Sequence, residues 1–378
     1  MQLHPLNMRL PRRGRPIAWH RWERSYLAAL TRREAALALL SGGGGDDWYY
    51  SMWDNPDAHQ QLLEDQVRYA AYQDALMAAA PLLEGRTVLD VGCGAGLLSL
   101  MAAEAGAAHV YAVDASQGAA DLAARVVRAN KMEGRITVIH GRAEAVALPV
   151  ESVDVIVCDW MGNALLHDSL LPALAAARDR WLAPGGLMFP DAASLHVMGV
   201  DDRQYVADKK AFWHTRQLGD FDMSPVLNAV VRYPRQDTLA RRSQAVTGSH
   251  TLLTLDLYKA GPQDLTFSRP FRLTAQREGR VSALLAYFDV VFTSRGAAGA
   301  EPPALTTHPM APATGWLQTI FSFPRALQMD KGAELSGAFS CRPAGRPPGR
   351  SLDVGVDILF QGAAAKVAYA MRRPQQRG

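Results

Sequence analysis

Short apolar segments alternate with helical segments between Trp48 and about Pro190. Four of these segments predict buried strands, because they are rich in β-branched residues and end in turn residues: RTVLDVGCG, HVYAVDAS, ITVIHG and VDVIVCDW. The segment LLSLMAAEAG between the first two predicts a helix. Strands that alternate with helices indicate a doubly wound parallel sheet, an α/β fold. Ligands of such sheets bind at the carboxyl ends of the strands.

The pattern becomes rich in β-strands after Pro190. Six segments alternate between apolar and polar residues or run apolar between Gly and Pro: TLLTLDLY, VSALLAYFDVVF, WLQTIFSF, AELSGAFS, LDVGVDILF and KVAYAMR. This half of the chain therefore predicts an antiparallel barrel or sandwich.

The first forty residues are rich in Arg and predict a helix near Ile17 to Leu40, which the flexible linker SGGGGDD follows. A partly disordered appended tail, a mitochondrial presequence and a partner-binding helix are all open, although Glu23 and Glu34 count against the presequence. We therefore predict three regions: an N-terminal extension over 1–47, an α/β domain over 48–190 and a β-domain over 191–378.

The composition is that of a soluble globular protein. The 378 residues are 48% hydrophobic and 20% charged, and the net charge of +3 is too small to indicate a nucleic-acid binder. Cys93, Cys158 and Cys341 lie far apart without zinc-site spacing, which favours a reducing compartment. There is no apolar run long enough for a membrane span and no apolar core of a secretory signal. We expect a location in the cytoplasm, with the nucleus as a further option.

A glycine-rich turn follows the first predicted strand in VLDVGCGAGLLSL. Gly92, Gly94 and Gly96 open a helix directly after Asp90, and Asp114 ends the next strand. Glycines at such a turn let the backbone approach a ligand closely, and a carboxylate at the next strand end can hold both hydroxyls of a ribose. The spacing differs from the G-x-G-x-x-G that binds a pyrophosphate. A cofactor with a ribose and no phosphate, S-adenosylmethionine, fits this pattern; a tight turn without a ligand is the alternative.

Two aspartates lie nine residues apart in VCDWMGNALLHDSLL, on either side of a Met-Gly turn. Asp159 and Asp168 are placed to hold a cation between two carboxylates. Considered alone, Asp159 is also a candidate for capping the following turn, and Asp168 for a solvated acid or the N-cap of the next helix.

Several motifs in the same order resemble those of type I protein arginine N-methyltransferases. They include YYSMWDNPDAHQQLLEDQVRYAAY, VLDVGCGAG, GRAEAVALP, ARDRWLAPGGLMFP, DLTFSRPF, ALLAYFDVVFT and WLQTIF, and the resemblance covers residues 48–372. It implies a class I S-adenosylmethionine-dependent methyltransferase domain with a Rossmann-like fold. An antiparallel β-barrel would follow, with a helical dimerisation arm inserted at about 201–224.

The resemblance also assigns roles to individual residues. Arg68 would pair with the carboxylate of the cofactor, and Glu144 would lie near its adenine. The cofactor-binding set is then Arg68, Asp90, Gly92, Gly94, Gly96, Asp114 and Glu144, with no metal. Asp159 and Asp168 occupy the positions of the two glutamates that hold the substrate guanidinium.

The sequence departs from the family on the side that holds arginine. Both clamp glutamates are aspartates, each shorter by one methylene. The family's Thr-His-Trp motif contains Gly315 instead of His, which leaves Asp65 without its proton-relay partner. Trp53 replaces a lid tyrosine, and Leu62 replaces a methionine of the substrate pocket. The cofactor residues are largely kept, so the changes concentrate on one function.

The predicted arm, DDRQYVADKKAFWHTRQLGDFDM, carries large apolar side chains among charges: Tyr205, Phe212, Trp213, Leu218, Phe221 and Met223. Such side chains on a projecting segment are candidate interface anchors, and burial in the chain's own core is the alternative. By resemblance, the arm would pack on the methyltransferase domain of a second subunit.

Three functions are consistent with the sequence. The first is a catalytically impaired subunit that assembles with an active arginine methyltransferase. The second is an active enzyme that uses Asp159 and Asp168 as its clamp, and the third is a sensor of adenosine ligands. The family implies Arg-Gly-rich RNA-binding proteins or histones as substrates of the active complex. We expect no membrane partner and no direct contact with nucleic acid.

Overall fold

The computed structural model describes residues 47–213, 233–238, 240–293, 302–344 and 350–371, with the single residues 221, 223 and 226. The predicted helix near Ile17 to Leu40 and Leu218 of the predicted arm lie outside these ranges.

The first domain is built on a five-stranded sheet in the order β3-β2-β1-β4-β5, with every neighbouring pair parallel. Its elements are α1 (Asp47–Met52), α2 (Pro56–Leu63), α3 (Gln66–Ala78), α4 (Ala80–Leu83), β1 (Thr87–Val91), α5 (Leu97–Glu104), β2 (His109–Asp114), α6 (Gln117–Ala129), β3 (Ile136–His140), β4 (Val153–Val157), α7 (Leu171–Trp181) and β5 (Leu182–Phe189). The four predicted strands are confirmed as β1 to β4. The pattern missed β5, because its sequence LAPGGLMF contains the turn-forming residues Pro-Gly-Gly.

The second domain consists of two antiparallel sheets. Its elements are β6 (Ala192–Val200), α8 (Arg203–Trp213), β7 (Arg235–Thr238), β8 (Ala245–Asp256), β9 (Phe267–Thr274), β10 (Gly279–Val291), β11 (Ala304–Thr306), β12 (Gln318–Met329), β13 (Glu334–Ala344), β14 (Ser351–Phe360) and β15 (Ala363–Met371). One sheet has the order β7-β12-β10-β6-β8 with β11 beside β10, and the other has the order β15-β14-β13-β9. The six predicted strands correspond to β8, β10 and β12 to β15.

The two domains share one continuous cluster of buried apolar side chains, which extends from Tyr72 to Met371. Arg178 on α7 donates to the backbone carbonyls of Leu257 and Ala260 at 2.8 and 2.6 Å. The Tyr72 ring meets Phe292 edge-on with centroids 5.0 Å apart. These contacts fix the carboxyl edge of the parallel sheet against the β-domain.

Other sequence expectations concern membranes, metals and cysteines. No helix within the described ranges is both long and apolar enough to cross a membrane. The same residues contain no cluster of His, Cys, Asp and Glu suited to a metal ion. Cys93, Cys158 and Cys341 are buried free thiols.

Candidate cofactor and arginine site

The glycine-rich turn after β1 has the backbone conformation that its sequence predicts. Gly92, Gly94 and Gly96 have φ angles of +74°, +54° and +85°, a region that residues with side chains rarely occupy. A Cβ at Gly92 would lie 2.8 Å from Cδ1 of Leu170. Gly92 therefore has no room for a side chain beside Leu170.

A cavity of about 310 Å³ lies at the carboxyl ends of the parallel strands. Its wall brings together most of the predicted site residues: Arg68, Gly92, Gly94, Asp114, Glu144, Asp159 and Asp168. The lid formed by α1, α2 and the loop between them closes one side, and its Tyr49, Tyr50, Trp53, His59 and Leu62 also line the cavity.

Asp114 lies on the cofactor side of the cavity. Its two carboxylate oxygens accept backbone N–H groups of Gly94 at 2.9 Å and Ser116 at 2.8 Å. Burial raises the pKa of this carboxyl, and the two N–H groups oppose that rise. Each oxygen has further lone pairs, so the carboxylate is able to accept ribose hydroxyls. Glu144 also lines the cavity, with Nε of Arg142 3.9 Å from its carboxylate.

Two members of the predicted cofactor set lie behind the wall rather than on it. Asp90 is fully buried and accepts the hydroxyl of Ser99 at 2.6 Å. Burial raises its pKa to about 7. Gly96 approaches Ala123, where a Cβ would meet the Ala123 side chain at 3.4 Å. Both residues support the turn, and neither lines the cavity.

Arg68 is buried between two carboxylates of its own chain. Its Nε donates to Oδ2 of Asp65 at 3.1 Å, and its Nη1 donates to Oδ2 of Asp159 at 3.0 Å. Burial opposes the charge of Arg68, but the nearby carboxylates outweigh it, so the pKa of the guanidinium is raised. The Asp65–Arg68 pair is thus not the exposed ion pair that its helical spacing also permitted, since both side chains are almost completely buried.

Gly315 and Trp316 complete the surroundings of Arg68. The Arg68 guanidinium carbon lies 3.4 Å from the centre of the Trp316 ring, close enough for a cation–π contact. The Gly315 N–H donates to Oδ2 of Asp65 at 2.6 Å. A Cβ at Gly315 would lie 3.1 Å from Nη2 of Arg68. Position 315 carries no imidazole, so Asp65 lacks the family's relay His, and its Oδ2 instead accepts from Arg68 and this backbone N–H.

Asp168 lies in a tight loop between β4 and α7. Its φ of +63° is in the left-handed region, and Gly162 at the start of the loop has no room for a side chain, since a Cβ would be 1.8 Å from the carbonyl oxygen of His167. The N-cap of α7 is Leu170, without a side-chain cap, so Asp168 is not the N-cap. The loop directs Asp168 into the cavity wall that Asp159 also lines.

Arg350 joins the lid, the acidic loop and the β-domain, although sequence reasoning did not single it out. Its backbone carbonyl accepts the N–H of Asp168 at 3.1 Å, and its Nη1 donates to the carbonyl of Ser169 at 3.0 Å. Its Nη2 donates to the hydroxyl of Tyr50 at 3.1 Å, and its guanidinium lies 3.8 Å from the Tyr49 ring centre. Position 350 lies in none of the motifs that carry the family resemblance, so the sequence held no direct signal for it.

The lid positions the two substituted residues of the arginine side. Trp53 and Leu62 both line the cavity. The backbone carbonyl of Trp53 is 2.7 Å from Nε2 of His59, which also lies against Gly94. His59 was missed at the sequence level, because a single His on an amphipathic helix gives no distinctive pattern.

The described part of the predicted arm is α8. Tyr205 stacks under Arg235, with 3.8 Å from the guanidinium carbon to the ring centre, and Arg235 pairs with Asp202 at the base of the helix. Phe212 is 53% exposed and meets Trp213 edge-on. Phe221 is 80% exposed. Tyr205 therefore anchors the helix on its own chain, whereas Phe212 and Phe221 remain accessible.

Two family models match the chain. The model described as "Arginine methyltransferase oligomerization subdomain" matches residues 191–363, and the model described as "Methyltransferase domain" matches residues 88–186. The first covers most of the β-domain and the second most of the parallel sheet.

Curated relatives align over most of the chain. Protein arginine N-methyltransferase 1 of Schizosaccharomyces pombe is 40% identical over 313 residues, which are 83% of this chain and 89% of the relative. Protein arginine N-methyltransferase 1 of Chlamydomonas reinhardtii is 37% identical over 329 residues, which are 86% of this chain and 93% of the relative.

Solved structures show the same architecture. A chain of the Trypanosoma brucei PRMT1 enzyme-prozyme heterotetrameric complex with AdoHcy superposes with a TM-score of 0.79 at 34% identity, covering 85% of this chain and 99% of that one. Arabidopsis thaliana protein arginine methyltransferase 10 superposes with a TM-score of 0.76 at 27% identity, covering 86% of this chain and 100% of that one.

Proposed function

Because this chain belongs to the protein arginine N-methyltransferase family, we propose that it is a regulatory subunit that assembles with an active type I arginine methyltransferase. In this proposal it transfers little or no methyl itself. The observation that carries the proposal is an internal ion pair at the acidic site: Oδ2 of Asp159 already binds the guanidinium of Arg68 at 3.0 Å.

The cofactor of the family is S-adenosylmethionine, which supplies an electrophilic methyl group. The residues around the cavity fit its nucleoside part: Asp114 offers carboxylate lone pairs, and the turn at Gly92 and Gly94 offers an open backbone. We therefore assign the cofactor site to Gly92, Gly94, Asp114 and Glu144, with Asp90 and Gly96 as support. Arg68 lines the same cavity and would pair with the cofactor carboxylate.

Transfer to arginine needs more than a bound cofactor. A protonated guanidinium is a poor nucleophile, so an active site must hold it by two carboxylates and direct one nitrogen at the methyl group. Of the two clamp acids, Asp159 shares its Oδ2 with Arg68 at 3.0 Å, while Asp168 lines the same cavity wall. Asp65, which is not a clamp acid, binds Arg68 and the Gly315 N–H. A substrate guanidinium would therefore meet a protein guanidinium at one of its two acids.

Assembly is supported by two further observations. The matched oligomerization subdomain covers residues 191–363, and within it Phe212 and Phe221 expose large apolar side chains. The Trypanosoma brucei neighbour is an enzyme-prozyme complex. We propose that the arm packs on an active family member in the cytoplasm or nucleus, and that the complex acts on Arg-Gly-rich proteins or histones.

The alternative is an active methyltransferase that uses Asp159 and Asp168 as a shortened clamp. It is favoured by the position of both carboxylates on one cavity wall with Asp114, and by relatives that are named as arginine N-methyltransferases. In that case the substrate guanidinium would have to share Asp159 with Arg68.

The test is transfer of labelled methyl from S-adenosylmethionine to an Arg-Gly-rich protein, with the chain alone and with an active family member. A regulatory subunit gives no turnover alone and raises the turnover of the partner, and this effect survives Asp159→Ala and Asp168→Ala. Phe212→Ala in the arm should reduce the stimulation. Turnover by the chain alone that Asp168→Ala removes would establish the active enzyme instead.

A gain-of-function variant tests whether the substituted residues on the arginine side explain the proposed loss of activity. The triple substitution Asp159→Glu, Asp168→Glu and Gly315→His restores the family residues. We expect it to create or raise methyl transfer by the chain alone, because the added methylenes extend both acids and the imidazole gives Asp65 its relay partner. A folded but inactive triple variant would argue that these three positions do not explain the impairment.

A further inference from the structure

The loop between α1 and α2 contacts the first turn of α6. Oδ1 of Asp54 accepts the hydroxyl of Ser116 at 2.6 Å and the backbone N–H of Gly118 at 2.9 Å. The contact joins residues 62 and 64 positions apart in sequence. It holds the lid against the helix that follows β2.

Ser116 links this contact to the cofactor acid. Its backbone N–H donates to Oδ1 of Asp114 at 2.8 Å, while its hydroxyl oxygen accepts the N–H of Ala119 at 3.0 Å and caps α6. Ser116 therefore binds the lid through its side chain and binds Asp114, the predicted ribose-binding residue, through its backbone N–H. The lid position and the Asp114 position are fixed by the same helix end.

Gly118 provides a second and independent sign of this contact. Glycine within a helix is unfavourable relative to alanine, by roughly 0.5–1 kcal/mol, so its presence in the first turn of α6 calls for a reason. A Cβ at Gly118 would lie 2.6 Å from the Cα of Asp54 and 2.9 Å from its Cβ. Because a backbone atom blocks it, only a shift of the lid would make room for a side chain.

The lid is itself a wall of the cavity. Tyr49, Tyr50 and Trp53 line the cavity immediately before Asp54 in the chain. Moving the Asp54 loop away from α6 would therefore move the Trp53 side of the wall. A nucleoside held between Asp114 and this wall would then be more exposed to solvent.

We propose that Asp54 is a positioning residue for the cofactor, which closes the lid on α6 and thereby slows release of the bound nucleoside. The proposal rests on cofactor binding and not on the catalytic competence of the chain. The two hydrogen bonds resemble those of a helix N-cap, whose loss is worth about a factor of ten in an equilibrium. We expect a similar factor in the rate of cofactor dissociation.

The experiment measures dissociation of S-adenosylhomocysteine from the full chain by stopped-flow displacement, beside the thermal midpoint of each variant. Asp54→Ala should dissociate about ten times faster than the parent, because both hydrogen bonds are lost. Asp54→Asn keeps an acceptor oxygen and should remain within about threefold of the parent. Asp57→Ala, three residues further along the same segment, is the matched control and should leave the rate unchanged.

Gly118→Ala separates positioning from general stability. Alanine favours the helix, which offsets part of the stability lost when its Cβ forces the lid away. Dissociation should therefore accelerate about tenfold, while the thermal midpoint falls less than in Asp54→Ala. Unchanged dissociation in Asp54→Ala and Gly118→Ala would overturn the proposal, even if the midpoint fell. Absence of nucleoside binding by the parent would also overturn it, whereas the methyl-transfer assay with a partner would still decide the proposed function.

Discussion

The cavity has a cofactor side and an arginine side, and the carboxylates on the two sides are bound by different kinds of hydrogen-bond donor. On the cofactor side, Asp114 is held by neutral backbone N–H groups of Gly94 and Ser116. On the arginine side, Asp159 is held by the cation of Arg68. Neutral donors position a carboxylate and leave its charge for a ligand, whereas an internal cation neutralises it. The same residue type at two strand ends is therefore bound by neutral donors in one half and by a cation, at one of its two oxygens, in the other.

This difference explains why counting acids is a poor guide to activity. Asp65, Asp159 and Asp168 give the arginine side more carboxylates than the cofactor side contributes with Asp114 and Glu144. Arg68 binds two of the three acids and stacks on Trp316, which places a protein guanidinium where carboxylates and an aromatic ring converge. The chemistry of the site depends on which charges remain unbalanced.

Removing the internal cation should have the largest effect. Arg68→Ala leaves Asp65 and Asp159 buried without their shared partner, and we expect the free energy of unfolding to fall by about 3–5 kcal/mol. Denaturant unfolding measures this loss. Arg86→Ala is the matched control, because Arg86 forms an exposed pair with Asp154 and its removal should cost less than about 1 kcal/mol. Equal losses in the two variants would contradict the occupied-acid interpretation.

Replacing Asp114 should weaken cofactor binding, whereas replacing the clamp residue Asp168 should not. Asp114→Ala removes an acceptor of charge-assisted hydrogen bonds, so S-adenosylhomocysteine should bind more weakly by about 1.5–3 kcal/mol. Asp168→Ala changes the other half of the cavity and should leave this affinity nearly unchanged. Isothermal titration calorimetry compares the two variants. A larger loss in Asp168→Ala would reverse the assignment of the halves.

Arg350 of the β-domain contacts both the lid and the loop that carries Asp168. A lysine cannot reproduce its planar contacts with Tyr49, Tyr50 and the carbonyl of Ser169. In Arg350→Lys we expect faster hydrogen exchange at the amides of Tyr49 and Tyr50, by about tenfold, or about 1.4 kcal/mol. The control is Arg342→Lys, because Arg342 forms an exposed pair with Asp353 in the same hairpin. Unaltered exchange in Arg350→Lys would mean that the lid is held by other contacts.

The smallest predicted effect concerns pH. Burial raises the pKa of Asp90 to about 7, above its ordinary value of 3.8, so the folded chain binds more protons than the unfolded chain between these values. Asp90 therefore reduces stability as pH rises through this window, by about 1 kcal/mol between pH 6 and 7. Asp90→Asn should remove that part of the slope in denaturant unfolding. An unchanged slope would show that Asp90 stays ionised in the fold.

Much of the fold could be predicted from the sequence. Each of β1 to β4 is a short apolar run that ends at a Gly or Asp, so local composition is sufficient to identify it. The strand β5 was missed because its APGG segment is locally typical of a turn, and in the structure this segment lies at a register shift between the pairs Val153–Leu182 and Val155–Leu187. The short β7 and β11 have too few residues to show a pattern.

The site was less predictable, because its decisive contacts join distant positions. The hydrogen bond from Arg68 to Asp159 spans 91 residues, and the one from Gly315 to Asp65 spans 250. Motif resemblance located these residues but did not show that Arg68 would bind Asp159, which depends on side-chain directions after folding. Asp54 and Ser116 illustrate the same limit, since Asp54 lies within the lid motif and Ser116 follows β2, yet neither position indicates their hydrogen bond.

The bond between the N–H of Asp168 and the carbonyl of Arg350 also has a consequence for synthesis. Asp168 leaves the ribosome long before residue 350, so a nascent chain that has completed the parallel sheet still lacks the acceptor for this amide. The same chain lacks the guanidinium that binds Tyr50 and the carbonyl of Ser169. The acidic loop and the lid therefore reach their final arrangement only after Arg350 has been synthesised and the β-domain has folded around it.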